Sequence, residues 1–136
     1  MNPRACALIL NDQNNLLLIR RVKNEREYWV FPGGSVEAGE SYEQAVVREV
    51  REETSLIVSG PTLMLENTNA GRSEFYFKFS DISGTVKLGV GPELERLSAT
   101  NLYEPIWLLQ SEFLTQNVLP INIKSDVLAL WKSGLL

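Results

Sequence analysis

Apolar positions along this chain fall in short dense runs separated by polar turns. Ala5 to Leu10 and Leu16 to Val22 are rich in Leu, Ile and Val, and Asn11-Asp12-Gln13-Asn14-Asn15 joins them, so the pattern predicts two strands forming a hairpin. Tyr28 to Phe31 is a third strand, which Pro32-Gly33-Gly34 ends, and a loop continues to Glu40. Ser41 with Gln44 three residues later makes a capping box, and the absence of Gly and Pro up to Thr54 predicts a helix. Leu63 to Asn67 and Glu74 to Phe79 read as strands, the second with Phe75, Phe77 and Phe79 on one face and Tyr76 and Lys78 on the other. Gly84 to Gly91 predicts a short strand and turn, and Pro105 to Leu109 a strand leading to a short helix from Ser111. A terminal helix is expected over Ser125 to Lys132, capped by Ser125 or Asp126. Strands outnumber helices and do not alternate with them, which predicts an α+β layered fold rather than a doubly wound parallel sheet. With 136 residues, a single domain is expected.

Composition narrows the chemistry. There is no histidine and one cysteine, Cys6, which sits in the first apolar run and reads as a small buried hydrophobe. Triads built on imidazole and zinc sites built on His or several Cys are thereby excluded, leaving carboxylates, basic side chains or a metal held by oxygen. Thirteen basic residues against seventeen acidic ones give a net charge of -4, which argues against a nucleic-acid polymer as partner. A small anionic substrate would need a bound cation. No apolar stretch reaches membrane-spanning length and the N-terminus lacks a signal-peptide pattern, so no membrane association and a cytoplasmic location are expected.

The predicted helix holds the candidate chemistry. At about 100° per residue, Glu53 lies about 40° and Glu52 about 300° from Glu49, so three carboxylates share one stripe, with Val46, Val47 and Val50 beside it as a packing face. Glu49/Glu52 and Glu49/Glu53 repel, each by about 0.2 to 0.5 kcal/mol, and they crowd the helix end where the macrodipole favours cations. A divalent cation held by clustered oxygens would reverse both penalties. The bland alternative is a solvated acidic face on a structural or interaction domain. Against it stands the loop just before the helix, where Gly33 and Gly34 allow close backbone approach to a ligand and a carbonyl could join the donor set. Arg48 can bridge to a carboxylate and orient it.

The stretch Gly34 to Leu56 resembles the box of the Nudix hydrolases, through Gly34, Glu40, Arg48, Glu49, Val50, Glu52, Glu53 and Leu56 at the family's spacing, with Phe31-Pro32-Gly33-Gly34 ahead of it. Ser55 stands where the box has glycine, which puts the helix exit in question, since glycine there would take a left-handed conformation. The resemblance implies an α/β/α sandwich around a mixed, partly antiparallel sheet. It also implies hydrolysis of a phosphoanhydride bond, in a nucleoside triphosphate or another nucleoside diphosphate derivative, with Mg2+ or substituting Mn2+ as cofactor. The implied metal ligands are Glu49, Glu52, Glu53 and the Gly33 carbonyl, with Arg48 orienting the glutamates. Glu52 is the first choice of general base, Glu93 and Glu95 the alternatives. Arg21 is favoured over Arg20 for phosphate by likeness to mutator-type nucleotide pyrophosphohydrolases, and Asn122 for the base, although an Asn before a helix is also a common cap. Trp29, Trp107 and Trp131 could stack on a base but suit core positions. Asn69 to Ser73 contains no proline, which disfavours ADP-ribose. A non-catalytic nucleotide or sugar-nucleotide sensor is the rival reading, and either a monomer or a homodimer is compatible with the pattern.

Overall fold

The computed structural model describes residues 2–87 and 101–136. Its strands are β1 (Arg4–Ala7), β2 (Leu16–Lys23), β3 (Arg26–Val30), β4 (Gly33–Ser35), β5 (Ile57–Asn69), β6 (Arg72–Ser83), β7 (Asn101–Leu108) and β8 (Val118–Leu119). Its helices are α1 (Tyr42–Thr54), α2 (Gln110–Thr115) and α3 (Ile121–Lys132). The strands form two four-stranded sheets, in the orders β4-β1-β6-β5 and β7-β2-β3-β8. Both are mixed: β1/β6 and β3/β8 run parallel, the remaining pairs antiparallel.

The expected hairpin is corrected. The two apolar runs turn tightly at 11–15, closed by Asn11 N–H on the Asn15 carbonyl at 3.0 Å, but only the bridge Leu10↔Leu16 pairs them before β1 and β2 enter different sheets. Ala5 to Leu10 and the first half of the second run, Leu16 to Ile19, are apolar at every position because both faces are covered, and such a stretch does not encode its partner. Ala5, Ala7, Ile9 and Leu17 pack with Val46, Val50 and Phe77 under α1, while Cys6, Leu8, Leu16 and Leu18 pack with Phe113, Val127 and Trp131 on the opposite side. The sheets thus lie between α1 and the α2/α3 pair, the layering expected of an α/β/α sandwich. Phe75 and Phe79 join Phe77 on the α1 side and Tyr76 faces the other way, as period-2 alternation requires.

Several boundaries shift. β5 runs from Ile57 through Gly60 and Pro61, which is tolerable because β5 is an edge strand and proline's missing N–H costs no ladder bond there. Ala70 and Gly71, at φ 51° and 79°, make the two-residue turn into β6. Residues 84–87 are not a strand, and the rest of the expected 84–91 element lies outside the described residues. β7 starts at Asn101, and α3 starts at Ile121, so Ser125 and Asp126 are inside the helix rather than capping it. The buried stripe Ile123, Val127, Trp131, spaced four apart, carries α3 one turn further upstream. Among the described residues no helix is long and apolar enough to cross a membrane.

Candidate active site

Helix α1 forms where its local signals predict. The Ser41 hydroxyl accepts from Gln44 N–H at 3.0 Å and Gln44 Oε1 accepts from Ser41 N–H at 2.9 Å, closing the capping box. Ala45, Val46 and Val50 are completely buried against β1 and β5. Burying each valine contributes about 1.5–3 kcal/mol, which outweighs the about 0.2–0.5 kcal/mol lost to each like-charge pair. The acidic stripe is therefore affordable on packing grounds alone. At the exit, Ser55 takes the left-handed conformation at φ 67°, ψ 2°, and its N–H reaches the Arg51 carbonyl at 3.0 Å. Serine thus preserves the turn that glycine would make, at the cost of strain.

Arg48 is the hub of the site. Its Nε and Nη2 donate to Oε2 and Oε1 of Glu40 at 2.7 and 3.0 Å, a two-pronged bond across the loop. Nη1 bridges Glu49 Oε1 at 3.0 Å and Glu52 Oε2 at 3.3 Å, and Nη2 also donates to the Ser35 carbonyl at 3.1 Å. The Arg48 hydrogen bond holds the Glu40 carboxyl below its ordinary range, and the Glu40 bond in turn holds the Arg48 guanidinium in its charged form. Glu40, a box position given no separate role by sequence reasoning, thus becomes the anchor of the arginine. Glu53 is buried, and its Oε1 accepts the Gly33 N–H at 2.8 Å, which ties α1 to the glycine loop. A Cβ on Gly34 would stand 2.5 Å from Glu49 Oε1, so glycine there is what lets the carboxylate lie on the backbone.

Gly33, Arg48, Glu49, Glu52 and Glu53 are therefore brought together. Among the described residues no three His, Cys, Asp or Glu side chains gather at metal-ligand spacing, and the Arg48 guanidinium bridges Glu49 and Glu52. The donor set still fits a hard divalent cation in kind, being oxygen throughout. Glu52, with 29% of its side chain exposed, lines with Arg48, Val47 and Pro61 an open cleft between α1 and β5.

The candidates outside the box fare differently. Arg21 lies over the Tyr103 ring, its guanidinium carbon 3.7 Å from the centroid, and 5.6 Å from that of Tyr28. Arg20 pairs with Glu27 at 2.7 Å. Asn122 lies in the first turn of α3, where it exchanges amide hydrogen bonds with Asn67 at 3.1 and 3.2 Å and donates to the Thr68 carbonyl at 3.2 Å. Trp29 and Trp131 are core residues, and Trp107 is half-buried against the α1-side core. Glu93 and Glu95 lie outside the described residues.

The NUDIX domain model matches residues 1–115, across both the box and the strands that support it. The chain belongs to the Nudix family. It is 35% identical over 95 residues to the 8-oxo-dGDP phosphatase NUDT18 of Mus musculus, a stretch that is 68% of this chain and 29% of that protein. Over 57 residues it is 46% identical to the ADP-ribose pyrophosphatase of Methanocaldococcus jannaschii, covering 41% of this chain and 34% of that one. The chain thus spans about a third of the length of these relatives. In fold it resembles the MutT NUDIX hydrolase of Burkholderia pseudomallei, with a TM-score of 0.70 at 24% identity, covering 94% of this chain and 95% of the other. Nudix hydrolases generally use divalent metals.

Proposed function

We propose that this Nudix domain, taken as residues 1–136 with its box at 34–56, hydrolyses a phosphoanhydride bond in a small nucleotide. A nucleoside triphosphate or another nucleoside diphosphate derivative is the intended substrate. The observation that supports this best is the joint fixing of Arg48, Glu49, Glu52 and Glu53 at the glycine loop by a hydrogen-bond network. A solvated face would not require a guanidinium hydrogen-bonded to four residues, Ser35, Glu40, Glu49 and Glu52. Relatives whose names specify 8-oxo-dGDP and ADP-ribose share a nucleoside diphosphate unit in what they act on, and that common unit is the class adopted here.

Glu49, Glu52, Glu53 and the Gly33 carbonyl are the residues that would hold a divalent cation, Mg2+ with Mn2+ as substitute. Such an ion supplies positive charge against a diphosphate and acidifies water at the site. Arg48 orients Glu49 and Glu52 from one nitrogen, and Glu53 is fixed by Gly33 N–H. Glu52, the most exposed carboxylate of the three, is the general base in this reading, taking a proton from the attacking water as the oxygen bonds to phosphorus and the bridging oxygen leaves.

The test is Mg2+-dependent hydrolysis across nucleoside triphosphates, nucleoside diphosphates, sugar nucleotides and dinucleoside polyphosphates. Turnover by the parent chain, with Glu52→Gln folded but slowed by two or more orders of magnitude, about the scale of general acid–base catalysis, is expected. Binding without turnover of any member would replace the enzyme with a sensor.

A further inference from the structure

The cleft that Glu52 borders runs on along α1 to its first turn, reaching about 1220 Å³ and following the flank of Glu43, Val47 and Arg51. Across it stands β5, an edge strand, whose Pro61 and Leu63 face the α1 side because they pair with Phe79 and Phe77. Leu63 is 45% exposed, Val47 is half-buried, and Glu43 and Arg51 are exposed. The two charges suit the helix dipole, acid in the first turn and base in the last. Among the described residues, however, neither side chain makes an ion pair or a hydrogen bond.

The order of these residues selects what can cover the flank. Glu43, Val47 and Arg51 are four apart, so they form one ridge of the helix, and at about 1.5 Å per residue the opposite charges stand about 12 Å apart with Val47 midway. The ridge is antisymmetric about its centre, so reversing it sets acid on base and base on acid. A two-fold axis at Val47 performs that reversal on a second copy, and Glu43 of each chain then meets Arg51 of the other, the reciprocity of an isologous contact. An acidic or a basic partner would instead leave one end of the ridge facing like charge. Two such ridges interdigitate with the helices inclined at about 50°, the commonest packing class. Each helix then lies over the furrow between α1 and β5 of the other copy, where Pro61 and Leu63 supply apolar surface. Glu49 and Glu53 lie about 160° and 120° around α1 from Val47, so the contact leaves them uncovered. We infer that two copies of this chain pair antiparallel through α1, about a two-fold axis at Val47.

Sedimentation velocity of the full chain, from micromolar to near-millimolar concentration, tests this. The parent is expected to dimerise, and less tightly as salt screens the two ion pairs. Arg51→Glu and Glu43→Arg each set like charges together at both ends of the ridge. Each should weaken the dimer by on the order of tenfold to a hundredfold, the scale of two exposed pairs reversed in sign. Mixed in equal amounts, the two variants should dimerise with each other at the parent's affinity, and the double variant Glu43→Arg/Arg51→Glu should do so with itself. Melting curves establish that each variant is folded. Val47→Cys keeps the test decisive if a charge variant does not fold. It should link to its own copy on mild oxidation, while the parent, whose one cysteine is the buried Cys6, should not. A parent that stays monomeric throughout, a dimer indifferent to either folded charge variant, or a weakened dimer that neither the mixture nor the double variant restores overturns the inference. So does a Val47→Cys chain that does not link to itself. Hydrolysis enters none of these results, so the proposed function stands or falls separately.

Discussion

Ser55→Gly isolates the cost of the one residue that departs from the Nudix box. Ser55 ends α1 in the left-handed region, at φ 67° and ψ 2°, with its N–H bonded to the Arg51 carbonyl. A residue with a Cβ pays about 1–2 kcal/mol for that conformation, and glycine does not. Glycine's wider freedom in the unfolded chain offsets about 0.4–1 kcal/mol of the gain. The net is a stabilisation of about 0.5–1 kcal/mol, or about 2–4 °C in Tm at this chain length. Urea unfolding and calorimetry of Ser55→Gly beside Ser55→Ala provide the assay, since alanine keeps the strain and should not raise Tm. A glycine variant that melts below the parent would refute the reasoning, because it would mean that chain entropy, not left-handed strain, dominates the helix exit.

Gly34→Ala would put a methyl 2.5 Å from the Glu49 carboxylate, the far end of a flexible side chain, so the fold should survive while hydrolysis falls about 10–100-fold as Glu49 is displaced; melting and kinetics separate the two. Arg48→Lys keeps the charge but cannot grip Glu40 with two prongs while bridging Glu49 and Glu52, and should cost a similar about 10–100-fold in rate. Because the Arg48 hydrogen bond holds the folded Glu40 carboxyl below its unfolded range, that contribution is present above about pH 4.5 and lost as pH falls further, so the lysine variant should show a shallower acid limb in pH-dependent unfolding. Burial pushes the Cys6 thiol up to about 12, so its contribution to stability is complete below pH 9.0 and is lost as pH rises towards 12; a thiol reagent at pH 8 should label Cys6 only as fast as the protein opens.

The box helix was legible because its determinants are local: the cap at Ser41, the partner Gln44, the valines and the carboxylate stripe all lie within fourteen residues of one another. What stayed hidden depends on pairing between distant segments. An apolar run such as Ala5 to Leu10 is covered on both faces, so its pattern could not say that β1 pairs with β4 and β6 rather than β2. The strand expected only from Leu63 starts at Ile57, because the pattern did not reveal that β5 lies at an edge, where Gly60 and Pro61 are tolerated. The buried carboxylate of Glu74 escaped notice for the same reason, since Arg4 and Glu74 become neighbours only through parallel pairing across 70 residues. A signal was nevertheless present: Glu74 has the same parity as Tyr76, on the face where a charge is least expected.

The carboxylate stripe now carries a different argument from the one that first drew attention to it. In the sequence, three glutamates at the unfavourable end of a helix called for a cation to offset their repulsion. In the fold, Arg48 bridges two of them and Gly33 N–H holds the third, so the chain supplies that compensation itself. Repulsion therefore does not require a metal, and the case for one rests on the all-oxygen donor set and the family. It also follows that α1 can form before any ion binds. Mg2+ should then raise stability only as an ordinary ligand does, by RT ln(1 + [Mg2+]/Kd), rather than as a condition of folding. Glu49 and Glu52 would hold such an ion beside Arg48, and the two-pronged Glu40 bond fixes the guanidinium that orients both carboxylates.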